Sequence, residues 1–426
     1  ILMTDFTLLV CRSKQLEYAR EHLNELFGKK YPRNFRKEHV SYRRDEEEEL
    51  AVINYTSGTT SFSKGVMLPY RSLWSNTQFA FEVLPLQPGN RVVSMLPMAH
   101  MYGLAFEFLY EICCGCHVYF LTRMPSPKII AQAFTDVKPH IVIAVPLIIE
   151  KIIKKGVLPK TETLKMKMLM KLPIINNKIN EAIRELLVKG FGRQFYEIIV
   201  GGAAFNSEIE TFLKGLDFPY TVGYGMTECG PIISYEDWKN FRPGSCGKAA
   251  PRMEIRIDSP DPHYVVGEIL VRGDNVMLGY YKNPESTAQA IDKDGWLHTG
   301  DLGIIDTEGN LFIKGRSKNM LLGPSGQNIY PEEIEEQLNN LPYVNECLVI
   351  QQRDNKLAAL VYPDFESAYA QGLSDKDIET KMEENRTMLN AALPSYSQVS
   401  EIRIYPEEFE KTPKKSIKRF LYQDVK

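Results

Sequence analysis

Between residues 50 and 250 the chain alternates short apolar runs with amphipathic stretches, and this constrains its fold more than any other feature. Leu50–Tyr55, Arg91–Leu96, His117–Leu121, Ile141–Val145, Glu197–Val200 and Tyr220–Val222 read as strands. Ile129–Val137 and Asn206–Leu213 read as helices between them. The alternation predicts an α/β layer with a mostly parallel sheet. Ligands of such sheets sit beyond the carboxyl ends of the strands, so the loops there are the places to look for chemistry.

From Arg252 the texture changes. Met253–Asp258, Gly267–Arg272, Gly303–Asp306 and Leu311–Lys314 are short strand patterns separated by Gly, Pro and Asp, as in a β-rich subdomain at about 251–315. Beyond Gly315-Arg316-Ser317-Lys318 a helix opens at Pro331 with Glu332 and Glu333 in its first turn, where acids suit the helix dipole. Strands Val344–Gln351 and Leu357–Tyr362, a helix near Asp375–Leu393 and a strand Glu401–Tyr405 complete a small α+β unit. A length of 426 residues allows two or three such domains.

Charge and cysteine usage exclude several classes. With 51 basic against 54 acidic residues the chain lacks the basic excess of a nucleic-acid binder. Seven scattered Cys make no disulfide scaffold and point to a reducing, cytoplasmic setting. The start Ile1-Leu2-Met3-Thr4-Asp5 has no signal-peptide pattern, and the apolar stretch Gly103–Leu121 is rejected as a membrane span because Glu107, Glu111 and His117 interrupt it. The acid run Asp45–Glu49 reads as a solvated loop.

Several segments could carry chemistry. Thr56-Ser57-Gly58-Thr59-Thr60-Ser61-Phe62-Ser63-Lys64-Gly65 directly follows a strand; its hydroxyls and backbone N–H groups could cradle a polyphosphate with Lys64 as counter-charge, although a polar surface loop has the same composition. Gly223-Tyr224-Gly225-Met226-Thr227-Glu228 departs from a dinucleotide fingerprint at Glu228 and offers instead a Tyr face, a Thr hydroxyl and a carboxylate for Mg²⁺. Gly201-Gly202-Ala203-Ala204 would admit a flat ligand or simply allow close packing. His100 could gate a pocket or be a satisfied core histidine. Cys113-Cys114-Gly115-Cys116-His117 has the form of a haem-attachment site, but its apolar flanks favour buried free thiols. Residues 151–193 hold nine Lys and two Arg against three Glu; a solvated amphipathic helix is favoured over contact with an anionic membrane.

Taken in order, these segments resemble the adenylate-forming superfamily of acyl-CoA synthetases, luciferases and nonribosomal adenylation domains, from about Leu50 to the C-terminus. The resemblance makes Thr56, Ser57, Gly58, Thr59, Thr60 and Lys64 the phosphate loop, with Ser61 and Ser63 where Gly and Pro are usual. It makes Gly202, Ala203, Tyr224 and Gly225 the adenine surroundings, Thr227 and Glu228 catalytic, with Glu228 as the Mg²⁺ ligand, and His100 a further active-site group. His298-Thr299-Gly300-Asp301 matches the segment whose Asp holds the ribose, and Arg316 is a second ribose contact. Lys318 is the hinge between a 1–315 adenylating domain and a mobile 316–426 domain, and Gly326 belongs to the pantetheine tunnel. In Lys415-Ser416-Ile417-Lys418-Arg419, Ser416 stands where the family has its catalytic Lys, so Lys415 is taken as the replacement, followed by Lys418 and Lys414. Only about fifty residues precede the phosphate loop, fewer than is usual.

Ser94–Gly103, Gly201–Asn206 and Ser245–Ala250 look most like a bacterial-type long-chain fatty-acid–CoA ligase. The implied substrates are a fatty acid, ATP with Mg²⁺, and CoA; the implied products are acyl-CoA, AMP and pyrophosphate. The alternatives are an enzyme that stops at acyl-AMP or passes the acyl group to a carrier protein, and a non-catalytic nucleotide or acyl binder.

Overall fold

A computed structural model describes residues 18, 21–34, 36–39, 45–56, 63–121, 126–156, 173–323, 327–411 and 417–422. They fall in two compact units, Ile1–Glu49 and Leu50–Lys426. In the first, a helix Leu23–Lys30 has no buried residue, carries the surface pair Lys29–Glu25, and is followed by an exposed turn at Asp45–Glu48.

The second unit begins with Leu50–Tyr55 (β1) and Gly65–Pro69 (β2), paired antiparallel with Tyr55 opposite Gly65. β1 is thus an antiparallel exception in the mostly parallel layer expected. Nine residues separate the two runs, enough for an antiparallel return, whereas a parallel one needs a crossover of a dozen or more residues. Arg91–Ser94 (β3) and His117–Phe120 (β4) pair in parallel, as do Val142–Ala144 (β5), Ile198–Val200 (β6) and Tyr220–Val222 (β7). Every residue of β5, β6 and β7 is buried, as expected of central strands covered on both faces. Strand periodicity divides them between two cores: Ile143 and Ile199 join Phe79, Phe106 and Tyr110 on one side, and Val142, Ala144, Ile198 and Val200 join Phe134, Ile153, Leu187 and Phe191 on the other. Helices Pro127–Val137, Pro146–Gly156, Pro173–Gly190 and Ser207–Gly215 supply the second side.

Tyr224–Gly225 (β8), Ile232–Tyr235 (β9) and Lys248–Ala249 (β10) form an antiparallel sheet, and Met253–Asp258 (β11) pairs with Gly267–Gly273 (β12). Gly279–Tyr280 (β13) returns to β2, with Tyr280 opposite Val66. Leu297–Ile305 (β14) and Leu311–Arg316 (β15) complete the sheet β11-β12-β14-β15. β14 starts at Leu297 rather than at the expected Gly303, because Leu297, Thr299 and Asp301 alternate inward although two of them are polar.

In the C-terminal region Leu321–Leu322 (β16) pairs with Asn328–Ile329 (β17). Val344–Gln351 (β18), Leu357–Pro363 (β19) and Val399–Ile404 (β20) form one mixed sheet. Helices Pro331–Asn339 and Asp375–Ala392 cover it through Ile334, Leu338, Met382 and Leu389. A capping box of Ser374 and Asp377 starts the longer helix.

The stretch rejected as a membrane span folds as helical turns from Met101 to Cys114, π-wound at Ala105–Leu109, followed by β4. No helix among the described residues is long and apolar enough to cross a membrane.

Candidate active site

The antiparallel pair β1–β2 sets the first part of the site. Thr56 N donates to Lys64 O (3.0 Å), and Lys64 N donates to Thr56 Oγ1 (3.3 Å), so the two ends of the hydroxyl-rich segment are locked together. Two residues before Thr56, buried Asn54 donates through Nδ2 to Ala99 O at 2.9 Å. That bond brings the half-buried His100, at the start of the helix Met101–Leu104, to the base of the same segment. Ser57, Gly58, Thr59 and Thr60 lie outside the described residues.

Lys64 points onto an aromatic ring: its Nζ is 4.5 Å from the Tyr280 centroid. The Tyr280 hydroxyl donates to Glu228 Oε1 at 2.9 Å. Glu228 and Thr227 are buried in a single helical turn, Thr227–Cys229, between β8 and β9. Asn76, fully buried on the helix Tyr70–Val83, brackets that turn: Nδ2 donates to Cys229 O (3.1 Å), and Ile232 N donates to Oδ1 (2.9 Å). Met277 N donates to Glu228 O (2.9 Å), fixing the turn from the other side. Gly225 is dictated by space, because a Cβ there would lie 2.3 Å from Pro231 O.

The second part is a buried carboxylate held from two sides. Asp301 Oδ2 accepts from the Tyr224 hydroxyl at 2.6 Å, and Oδ1 pairs with Arg316 Nε at 2.9 Å. The antiparallel register of β14 and β15 places Asp301 opposite Arg316, which explains the pair. Burial lifts the Asp301 carboxyl above its ordinary value, while Arg316 and the Tyr224 hydroxyl pull it back toward the ionised form. Asp301 chiefly, with smaller contributions from Glu228 and Glu332, raises Arg316. Burial and their carboxylate partners hold the Tyr224 and Tyr280 hydroxyls well above the usual tyrosine range, so both act as donors. The Tyr224 ring lies in the core, and its hydroxyl serves Asp301.

After β6, Gly202 takes φ +88°, a left-handed conformation suited to glycine, and Gly202 and Ala203 are exposed at the carboxyl end of the strand. Gly326 and Lys415 lie outside the described residues, as do Lys414 and residues 157–172 of the basic segment. Of the other lysine candidates, Lys418 is bound to Glu410 (3.1 Å). Arg419 is paired with Glu335, and lies 3.8 Å from Glu332. The cysteine cluster departs from the expected buried thiols at Cys113, which is exposed; Cys114 is buried, and burial pushes the half-buried Cys116 up to about 12. No group of three or more His, Cys, Asp or Glu that could hold a metal ion occurs among the described residues.

Sequence reasoning missed Tyr280, Asn76 and Asn54. Nothing in the sequence around Tyr280 shows that it reaches a carboxylate 52 residues away.

Residues 10–281 match the model of the AMP-binding enzyme family, and residues 319–424 that of the AMP-binding enzyme C-terminal domain. The chain belongs to the AMP-binding enzyme family. It is 30% identical over 409 residues to a Mycobacterium tuberculosis protein named as a fatty-acid–CoA ligase, fadD11; the match covers 87% of this chain and 70% of that one. It is 28% identical to long-chain-fatty-acid–CoA ligase 1 of Cavia porcellus (85% of this chain, 57% of the relative). It is also 28% identical to 4-coumarate–CoA ligase 5 of Oryza sativa (79% and 59%). The chain thus spans under two thirds of the length of the last two. Among solved structures, ATP-bound MatB of Rhodopseudomonas palustris superposes with a TM-score of 0.70 at 22% identity (89% of this chain, 69% of that one). The o-succinylbenzoate CoA synthetase MenE of Bacillus subtilis, in complex with ATP and magnesium ion, gives 0.71 at 21% (93% and 74%). These likenesses show the fold: a large α/β region followed by a smaller C-terminal one. In this member of the AMP-binding family, Lys64, Glu228, Tyr224, Asp301 and Arg316 lie within the segments that the sequence singled out, and Tyr280 joins the first two from outside them.

Proposed function

We propose that the chain activates a medium-to-long fatty acid with ATP and passes the acyl group to CoA. The observation that carries the reading is the buried Asp301 carboxyl, fixed between the Tyr224 hydroxyl and the Arg316 guanidinium: a positioned pair of oxygens suited to the two ribose hydroxyls of a nucleotide. The fatty-acid–CoA ligases among the relatives support the acyl class. The substrate carboxylate attacks the α-phosphorus, an O–P bond forms, and pyrophosphate leaves with the electrons of the broken P–O bond. A CoA thiolate then attacks the acyl carbon, and AMP leaves as the C–O bond breaks. In the first half Lys64, Thr56 and Thr227, with Ser57, Gly58, Thr59 and Thr60 by resemblance, stabilise charge on the phosphates.

Glu228 alone is no resident metal cage, but one buried carboxylate fits a Mg²⁺ shared with phosphate oxygens, the usual manner for that ion. Such an ion supplies positive charge at the triphosphate. Lys415 is assigned the second ammonium of the adenylation half. Residues 316–426 are assigned as the mobile domain, turning at Lys318 to bring the Gly326 segment to CoA.

A screen of C2–C18 acids, benzoate and 4-coumarate with ATP and CoA, reading AMP and thioester, tests the proposal. Discrimination of about 0.8 kcal/mol per buried methylene is expected up to the end of the pocket. Turnover of acetate, benzoate or 4-coumarate above decanoate and palmitate would overturn the fatty-acid assignment. Acyl-AMP without thioester would overturn CoA as acceptor.

A further inference from the structure

We infer that Tyr280 is a positioning residue that keeps the lysine and the carboxylate of the nucleotide site apart and aimed, holding Lys64 by its ring face and Glu228 by its hydroxyl; what those two groups then do rests on the proposed function. The ring centroid lies 4.5 Å from Lys64 Nζ, and the hydroxyl 2.9 Å from Glu228 Oε1. An ammonium and a carboxylate brought into direct contact would form an ion pair and cancel the charges that a triphosphate and its cation require. An aromatic ring between them satisfies both, since its face attracts the ammonium and its hydroxyl hydrogen binds the carboxylate.

The ring is itself immobile. Tyr280 is 8% exposed, its N–H donates to Thr287 Oγ1 (2.9 Å), and the Thr287 hydroxyl donates to Asn283 O (2.9 Å). Pairing with Val66 places β13 two residues from Lys64, and Tyr281 N donates to Gly65 O (2.7 Å). The tyrosine is thus fixed to the strand that directly follows the lysine and bonded to the turn that carries the glutamate.

Two variants separate the two grips. Tyr280→Phe keeps the ring and loses the hydroxyl; Tyr280→Leu loses both, and Tyr280→Met, longer and more adaptable, replaces it should Leu not fold. In nucleotide-free protein, acetylation of Lys64 read by mass spectrometry, with Lys248 as internal reference, should change by about threefold or more in Tyr280→Leu and stay within about twofold in Tyr280→Phe. In ATP–pyrophosphate exchange, Tyr280→Phe should raise the half-saturating Mg²⁺ concentration about fivefold with a smaller fall in kcat. Unchanged Lys64 reactivity in the ring-deleted variant, or unchanged Mg²⁺ dependence in Tyr280→Phe, overturns the corresponding grip. A parent protein with no exchange activity refutes the proposed function, while the acetylation result still decides the ring's part.

Discussion

Glu107 offers the sharpest test of how the interior of this fold is charged. Its carboxyl is completely buried in the π-wound turn Ala105–Leu109. Oε2 accepts from Leu96 N (2.7 Å), Met95 N (3.0 Å) and Ser94 Oγ (3.2 Å), while Oε1 has no hydrogen-bond partner. Burial pushes the group from its ordinary 4.5 to about 8, against the pull of these donors. The folded state therefore holds this proton more tightly than the unfolded chain does, and stability falls as pH rises. The loss begins near 4.5, runs at up to about 1.4 kcal/mol per pH unit, and ends near 8, with a ceiling of about 5 kcal/mol. Glu107→Gln keeps an acceptor for the strand-end N–H groups and removes the titration, at a constant cost of about 1–3 kcal/mol for its unpartnered amide. Urea unfolding of both proteins at pH 5, 6, 7 and 8 should show the parent losing stability more steeply, and the two curves converging or crossing toward pH 8. Parallel curves would refute the argument, because Glu150, Glu197, Glu210 and Glu335, also raised by burial, titrate in both proteins and cancel in the difference.

Asp301→Asn turns a pure acceptor into a mixed donor and acceptor and frees Arg316; ATP affinity, read by calorimetry, should fall about tenfold or more. Lys415→Ala should slow acyl-AMP formation by about a hundredfold and spare thioester formation from pre-made acyl-AMP. Lys418→Ala should stay within about threefold of the parent rate, since its ammonium is bound to Glu410 near the surface. Asn76→Ala takes the Asn76 partner from Cys229 O and Ile232 N and should cost about 2–5 kcal/mol in urea unfolding; Asn76→Asp, which turns a buried carboxylate toward the Ser72 and Cys229 carbonyl oxygens, should cost at least as much near neutral pH.

The parallel strands were legible because β5 and β6 are short and wholly apolar and β7 is interrupted only by Thr221. β1 looked the same in isolation, and only its partner, the run Gly65–Pro69 after the hydroxyl-rich segment, shows that it turns back on itself. Glu107 and Glu111 were reason enough to reject a membrane span, yet both are buried in protein. Sequence registers that a carboxylate is costly in an apolar run, but not that β3 ends in three donors waiting for it. The site divides the same way. Asp301 and Glu228 sit in motifs with local signatures, whereas Tyr280, Asn76 and Asn54 act across 52, 153 and 45 residues. A side chain that reaches so far leaves no periodicity or spacing to read.

The surroundings of Lys318 bear on the proposed pivot. The residue before it is tied backward, Ser317 Oγ donating to Gly300 O in β14 (3.1 Å), and the residue after it is tied forward, Asn319 Nδ2 donating to Glu332 Oε1 (2.6 Å). Lys318 itself is exposed, so a torsion change there disturbs neither anchor directly. A turn at that point would break the Met320 N–Arg316 O bond (3.1 Å), the surface pair Lys314–Glu333 (3.1 Å), the Asn206–Asn340 bond and the bond from Ser207 N to Glu336 Oε1 (3.0 Å). The last sets a carboxylate at the N-terminus of the helix Ser207–Gly215, worth about 0.3–1 kcal/mol when exposed. The ion pair contributes about 0–1 kcal/mol and the neutral bonds about 0.5–1.5 kcal/mol each. The sum is a few kcal/mol, the scale that separates two conformations of one protein rather than folded from unfolded. A pivot at Lys318, as proposed, would have to release contacts of that size, which is within reach of domain motion on the microsecond-to-millisecond timescale that two half-reactions at one site would require.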